Sequence, residues 1–251
     1  MVTPPPAPAF PGGTAVSGLT VYDWPAPDGL RGGSPHVHLA CTEGYVVAAG
    51  EGSLDTLTAG GPARTPLRPG AVAWFGPGTV HRAVVTGEDA LRVVVVMQNG
   101  GLPEAGDAVF TFPPEVLADP VAYAAASHAD DAASARRRRD LAVRGYRDLL
   151  ARTAAGDTEA LPRFYRQALA LRRDRFPDWA ERCRTGARRA ADRTEEHLAA
   201  LTDGRIGHLL DASVATAAPP SARRFGMCGR LDTYDLTPHL AAPTTEGTPD
   251  P

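Results

Sequence analysis

The chain has 251 residues, of which 43% are hydrophobic and 22% charged, with a formal net charge of −3. That is enough apolar material for a buried core, and no apolar run approaches the roughly 18–20 residues needed to cross a bilayer. Cys41, Cys183 and Cys228 are too few and too scattered for a disulfide framework or a thiolate zinc cage. All 26 basic residues are arginine, which excludes Schiff-base lysine chemistry and a P-loop lysine.

The charge is split along the chain. Residues 1–130 carry 5 arginines against 12 acids, and residues 131–251 carry 21 arginines against 17 acids. Two regions with different roles are expected. Residues 1–14 are rich in Pro, Ala and Gly and are expected to be disordered. Met1 to Gly13 lacks the basic and apolar pattern of a secretory leader, so a cytoplasmic location is expected.

From residue 15 to 115, short β-branched runs alternate with turn signals. The runs include Gly44–Val47, Gly70–Phe75, Arg82–Val85 and Leu91–Met97. The turns include Gly50-Glu51-Gly52, Gly60-Gly61-Pro62 and Gly76-Pro77-Gly78. This spacing predicts an antiparallel sandwich or barrel.

After Pro113 and Pro114 the period changes. Residues 116–210 predict about three helices, with stripes at Leu141, Gly145, Leu149 and Leu150 and at Phe164, Ala168 and Leu171. This region would pack across the barrel mouth or form part of a dimer interface. Arg136 to Arg139 is flanked by Asp130, Asp131 and Asp140 and reads as a solvated helix start, so no nucleic-acid partner is expected. Residues 211–251, rich in Ala, Pro, Ser and Thr, predict a flexible tail.

The chemistry concentrates in the β region. His36 and His38 are two apart, so both project from one face of a strand. Glu43 follows, and His81 comes just after the Gly-Pro-Gly turn. Three imidazoles and a carboxylate suit a borderline divalent ion such as Fe, Mn, Ni, Cu or Zn, with positions left for water or substrate. His128, His197, His208 and His239 have no partners at ligand spacing.

These segments resemble the two motifs of the cupin superfamily. Gly33, His36-Val37-His38, Glu43 and Gly50 follow the first; Gly70 and Gly78-Thr79-Val80-His81 follow the second. Gly76 stands where Pro is usual and Val85 where Asn is usual. The resemblance covers about residues 15–112. It implies a mainly β, jelly-roll barrel followed by a helical extension, a metal held by His36, His38, Glu43 and His81, and a homodimer.

Counting in twos from Glu43 places Tyr45 and Val47 on its face. Trp74 offers an aromatic wall, with Phe75 on the opposite parity. Gln98, closing a run of four valines, needs a polar partner. Tyr45, Trp74 and Gln98 are therefore the expected substrate-pocket residues.

The leading reading is a metal-dependent enzyme acting on a small organic molecule, foremost an Fe(II)-type dioxygenase. Glu43 would be its ligand or, once displaced, its catalytic base. Sugar isomerase, epimerase or cyclase chemistry is the second reading. A non-catalytic small-molecule sensor is the third.

Overall fold

The structure, a computed structural model, describes residues 8–236. Two antiparallel sheets face each other. The first runs β7 (Val72–Phe75), β4 (Glu43–Ala49), β9 (Arg92–Met97), β1 (Ala15–Val21), β12 (Gly229–Thr233) and β11 (Arg224–Phe225). The second runs β6 (Gly61–Leu67), β5 (Gly52–Thr58), β8 (Val80–Val85), β3 (His36–His38) and β10 (Ala108–Phe110). The short β2 (Arg31–Gly32) also pairs with β8. From β3 to β10 the chain passes repeatedly between the sheets, as a jelly roll does.

The period of two sets what each strand buries. In β9, Val93, Val95 and Met97 point inward, while Arg92, Val94 and Val96 point out. Glu43 lies opposite Met97 and Tyr45 opposite Val95, so β4 turns the same parity inward. Leu19, Tyr45, Val47, Leu54, Val93 and Val95 belong to the core between the sheets.

In the second sheet β3, β8 and β10 are buried on both faces, whereas the edge strand β6 is largely exposed. His36, His38 and His81 face inward; Val37 and Val80 face a second core shared with the helices. That core includes Val109, Phe112, Tyr123, Ala142, Leu149 and Phe164. Each of its fully buried Val, Leu and Phe side chains contributes about 1.5–3 kcal/mol by leaving water. Helical residues 114–172 therefore back the histidine-bearing sheet, while Phe176 and Trp179 pack against the core between the sheets.

The helices are α1 (Pro114–Leu117), α2 (Pro120–Ser127), α3 (Ala132–Ala154), α4 (Ala160–Arg172), α5 (Phe176–Cys183), α6 (Arg189–Thr202) and α7 (Gly207–Leu210). More described residues are helical than extended, so the chain is mixed α and β rather than mainly β. Asp131 opens α3 with a capping box: it accepts from Ser134 N at 2.6 Å, and Ser134 Oγ accepts from Asp131 N at 3.1 Å. Gly145 lets α3 approach closely, since a Cβ there would lie 2.1 Å from the Thr111 carbonyl oxygen. No described helix is long and apolar enough to cross a membrane.

Three expectations need correction. Residues 1–7 lie outside the described residues, but 8–14 are placed: Pro11–Gly13 forms a 3-10 turn whose Gly13 carbonyl accepts from Gly100 N at 2.7 Å. Within the expected tail, β11 and β12 form a hairpin, and β12 extends the first sheet beside β1. Alternation in Phe225–Leu231 is too short to announce itself, and pairing with β1 supplies what local propensity does not. Residues 237–251 lie outside the described residues.

The arginine run is the third. Arg136 and Arg137 are exposed, as a solvated helix start requires, but Arg138 and Arg139 are buried. Arg139 donates to the carbonyls of Trp24, Pro25 and Gly32. Arg138 donates to those of Ser127, Phe225 and Gly226. Backbone carbonyls accept from these two buried guanidiniums, which composition alone does not reveal.

Candidate metal centre

The two sheets bring four sequence-distant side chains together. His36 and His38 come from β3, and His81 from β8, in register with His36. Glu43 reaches across from β4 in the other sheet. One donor atom from each lies within 4.8 Å of every other. All four side chains are buried.

Their orientation is fixed from behind. His36 Nδ1 lies 3.0 Å from Ser34 O, and His81 Nδ1 lies 3.0 Å from Thr79 O. A carbonyl can only accept, so each Nδ1 carries the proton and each Nε2 presents a lone pair. His38 Nδ1 lies 2.7 Å from Asp107 Oδ1, which imposes the same tautomer on a neutral ring. The turn before His81 is tied to the pair as well: Gly78 N donates to His38 O at 2.9 Å, and Gly78 has the positive φ of 86° that glycine accommodates.

Glu43 Oε2 lies 3.2 Å from His38 Nε2 and 3.1 Å from His81 Nε2. Proximity here is not alignment: Glu43 Oε2 and His81 Nε2 are both buried without a hydrogen-bond partner. Converging lone pairs with orphaned acceptors are the donor set of a cation. The residues therefore fit the metal that the cupin resemblance implies.

Electrostatics agree. Burial, then His81 and His38, hold the His36 pKa well below the usual histidine value. Burial opposes ionisation of Glu43, but the neighbouring imidazoles His81 and His38 outweigh it and keep its pKa well below the usual carboxylate value. Burial likewise opposes the charged form of His38, yet the hydrogen bond to Asp107 and the charge of nearby Glu43 raise its pKa to about 10. A cation taken up by His38 Nε2 displaces a proton there.

A cavity of about 330 Å³ opens onto His36, His38 and Glu43. Tyr45 lines it as expected, fully buried, with its Oη 4.0 Å from Cys228 Sγ. Burial first, then Cys228 and Glu43, keep that phenol protonated well above its ordinary pKa. Trp74 and Gln98 do not line the cavity. Glu43 pairs with Phe75, so Phe75 shares the inner face and Trp74, 73% exposed, turns outward. Gln98 follows inward Met97 and is exposed; its Oε1 accepts from Thr42 N.

Sequence reasoning missed three contributors. Phe75 was read only by its parity; its ring packs 4.3 Å from the His81 ring, centroid to centroid. Asp107 is fully buried, and its Oδ2 accepts from Cys41 N at 3.0 Å. Its only signal is an acid directly before an apolar strand. Cys228 comes from the hairpin, with its Sγ 4.0 Å from His36 Nδ1. The leading motif glycine is explained by it: a Cβ on Gly33 would lie 2.4 Å from Cys228 Cα. Val85, where Asn is usual, is buried in the barrel core. His128 is exposed, and exposed His197 stacks on half-buried His208; His239 lies outside the described residues.

The barrel is of the cupin type. Its two facing sheets wind as a jelly roll, and both cupin motif segments meet at one buried His₃Glu cluster. No protein-family model and no curated protein matches the chain. Among solved structures, it is similar to an uncharacterized conserved protein with a double-stranded β-helix domain from Klebsiella pneumoniae. That match has 21% identity over 40% of this chain and 82% of that one, with a TM-score of 0.30. Oxalate oxidase in complex with the substrate analogue glycolate matches at 25% identity, over 36% of this chain and 52% of that one, TM-score 0.27. The capsular polysaccharide assembling protein CapF from Staphylococcus aureus matches at 15% identity, over 43% and 27%, TM-score 0.33. The chain thus spans about half of the oxalate oxidase and about a quarter of CapF.

Proposed function

We propose that this chain is a metal-dependent enzyme of small-molecule metabolism, with an Fe(II)-type oxygenase as the leading subclass. The carrying observation is that three imidazoles, each with Nδ1 tied back, converge with a buried carboxylate beneath a small cavity. A bound transition ion would supply Lewis acidity and, if iron, redox chemistry toward dioxygen.

The chain's own groups divide the remaining work. His36, His38 and His81 would hold the ion through Nε2, and Asp107 keeps His38 aimed. Glu43, ionised, would complete the donor set or, released, take a proton at Oε2. Tyr45 keeps its proton and can donate from Oη to a substrate oxygen. Leu19, Val95 and Met97 line the cavity with apolar surface, which strengthens these polar contacts.

The cavity wall favours this reading over sugar isomerisation. A sugar needs hydrogen-bonding groups around its hydroxyls, and Leu19, Val95, Met97, Phe225, Met227 and Leu231 offer none, leaving Ser17, Thr233 and Tyr234 as the half-buried hydroxyls of the wall.

The test is elemental analysis of protein purified without a metal-binding tag, followed by reconstitution with Fe(II) and oxygen-electrode assays over a panel of small organic acids and phenols. Retained transition metal and iron-dependent oxygen uptake are expected. Failure to retain Fe, Mn, Ni, Cu or Zn after incubation and desalting would overturn the proposal.

A further inference from the structure

The donor cluster is built by the first 81 residues, yet the cavity above it is not. One whole wall comes from residues 224–234, the hairpin that returns to pair with β1. Phe225, Met227, Cys228 and Leu231 line the cavity from this side. Leu19, Tyr45, Val95 and Met97 line it from the first sheet.

The hairpin is held from outside the cavity. Arg138 donates to Phe225 O at 3.0 Å and to Gly226 O at 2.6 Å, and Tyr22 Oη donates to Gly226 O at 3.0 Å. Cys228 Cα lies so close to Gly33 that no side chain fits between them. The wall is therefore a fixed part of the site.

We infer that this wall selects a small, largely apolar ligand bearing one oxygen-rich polar end. The inference rests on the proposed metal centre and goes on to the class of molecule that reaches it. Size comes first: about 330 Å³ lies at the lower end of ligand cavities. Polarity comes next. The buried polar groups of the cavity are the donor cluster and the Tyr45–Cys228 pair, with Ser17, Thr233 and Tyr234 only half-buried, so the polar end sits at the donors and the apolar body lies against Phe225, Met227 and Leu231.

Charge decides the rest. Among the lining residues the one guanidinium, Arg224, is exposed at the rim, where Glu104 is also exposed. Arg138 is spent on carbonyls behind the wall. A second anionic group carried into the apolar part would be desolvated without a partner. Dicarboxylates and phosphorylated compounds are therefore excluded, and monoanionic or neutral aromatic and branched aliphatic compounds are favoured.

The test uses the full chain loaded with cobalt(II), whose visible absorption reports on ligands entering the site. Three oxygen donors are titrated: acetohydroxamate, benzohydroxamate and malonate. Benzohydroxamate should bind about tenfold or more tighter than acetohydroxamate, because its ring buries apolar area that a methyl group lacks. Malonate should bind more weakly than benzohydroxamate.

Leu231→Arg and, as a milder change, Met227→Ser should shrink the benzohydroxamate preference severalfold while cobalt content stays that of the unaltered protein. If Leu231→Arg does not fold, Met227→Ser carries the test. Malonate binding more tightly than benzohydroxamate, or a preference unmoved by every folded variant, overturns the inference and leaves the metal centre standing. A chain that takes up no cobalt overturns the metal centre, and the inference falls with it.

Discussion

Asp107 Oδ1 sits 2.7 Å from His38 Nδ1, and the same carboxylate accepts from the backbone N of Cys41. One buried acid thus orients a donor ring and ties down the loop leading to Glu43. Burial opposes its ionisation, but hydrogen bonds from His38 and Cys41 prevail and hold its pKa below the usual aspartate value. Asp107→Asn should lower metal affinity by about 10–100-fold, as loss of an orienting partner does elsewhere. Competition with a chromophoric chelator measures it; unchanged affinity would reduce Asp107 to a loop anchor.

The histidines should matter more than the glutamate. His36→Ala, His38→Ala and His81→Ala should each strip most of the metal and leave the barrel folded, because its core is apolar. Glu43→Gln should keep much of the metal and alter activity. His128→Ala, on an exposed ring, should change nothing. Elemental analysis beside circular dichroism reads all five variants, and full metal content in both His38→Ala and His81→Ala would sink the metal centre.

Arg138 should behave as a buried anchor. Its replacement by Leu strips donors from the Ser127, Phe225 and Gly226 carbonyls. A loss of roughly 2–4 kcal/mol of stability is expected, from unpaired buried polar groups. Hydrogen exchange should rise most in residues 224–233. Uniform change across the chain would show that Arg138 does not act through the hairpin.

Gly33→Ala should be costly out of proportion to one methyl group. The new Cβ would meet Cys228 Cα at 2.4 Å, so the backbone on one side or the other must shift. Cys228, now buried, should then react with a thiol reagent that otherwise reaches only exposed Cys183. Unchanged labelling would mean that the hairpin moves as a unit and keeps its seal.

The four donors were legible because their chemistry is local. The His36–His38 pair needs only strand parity, and the Gly76–His81 turn needs only its glycines. Trp74 and Gln98 were misplaced because parity along one strand does not say which parity is inward; the pairing of Glu43 with Phe75 and Met97 decides that. Asp107 and Cys228 were illegible for another reason. Their roles arise from contacts across 69 and 192 residues, where no spacing rule reaches. Arg138 and Arg139 misled because a charge run is usually solvated, and only the packed position of α3 shows what they face.

The hairpin also sets the order in which the site can form. His36 and Cys228 are 192 positions apart, and β12 pairs with β1 near the opposite end of the chain. Loop closure over that span is slow, since its entropy is lost before any contact compensates. During synthesis the donors leave the ribosome well before the wall that encloses them. A nascent barrel therefore has its four donors synthesised before the hairpin that walls the cavity.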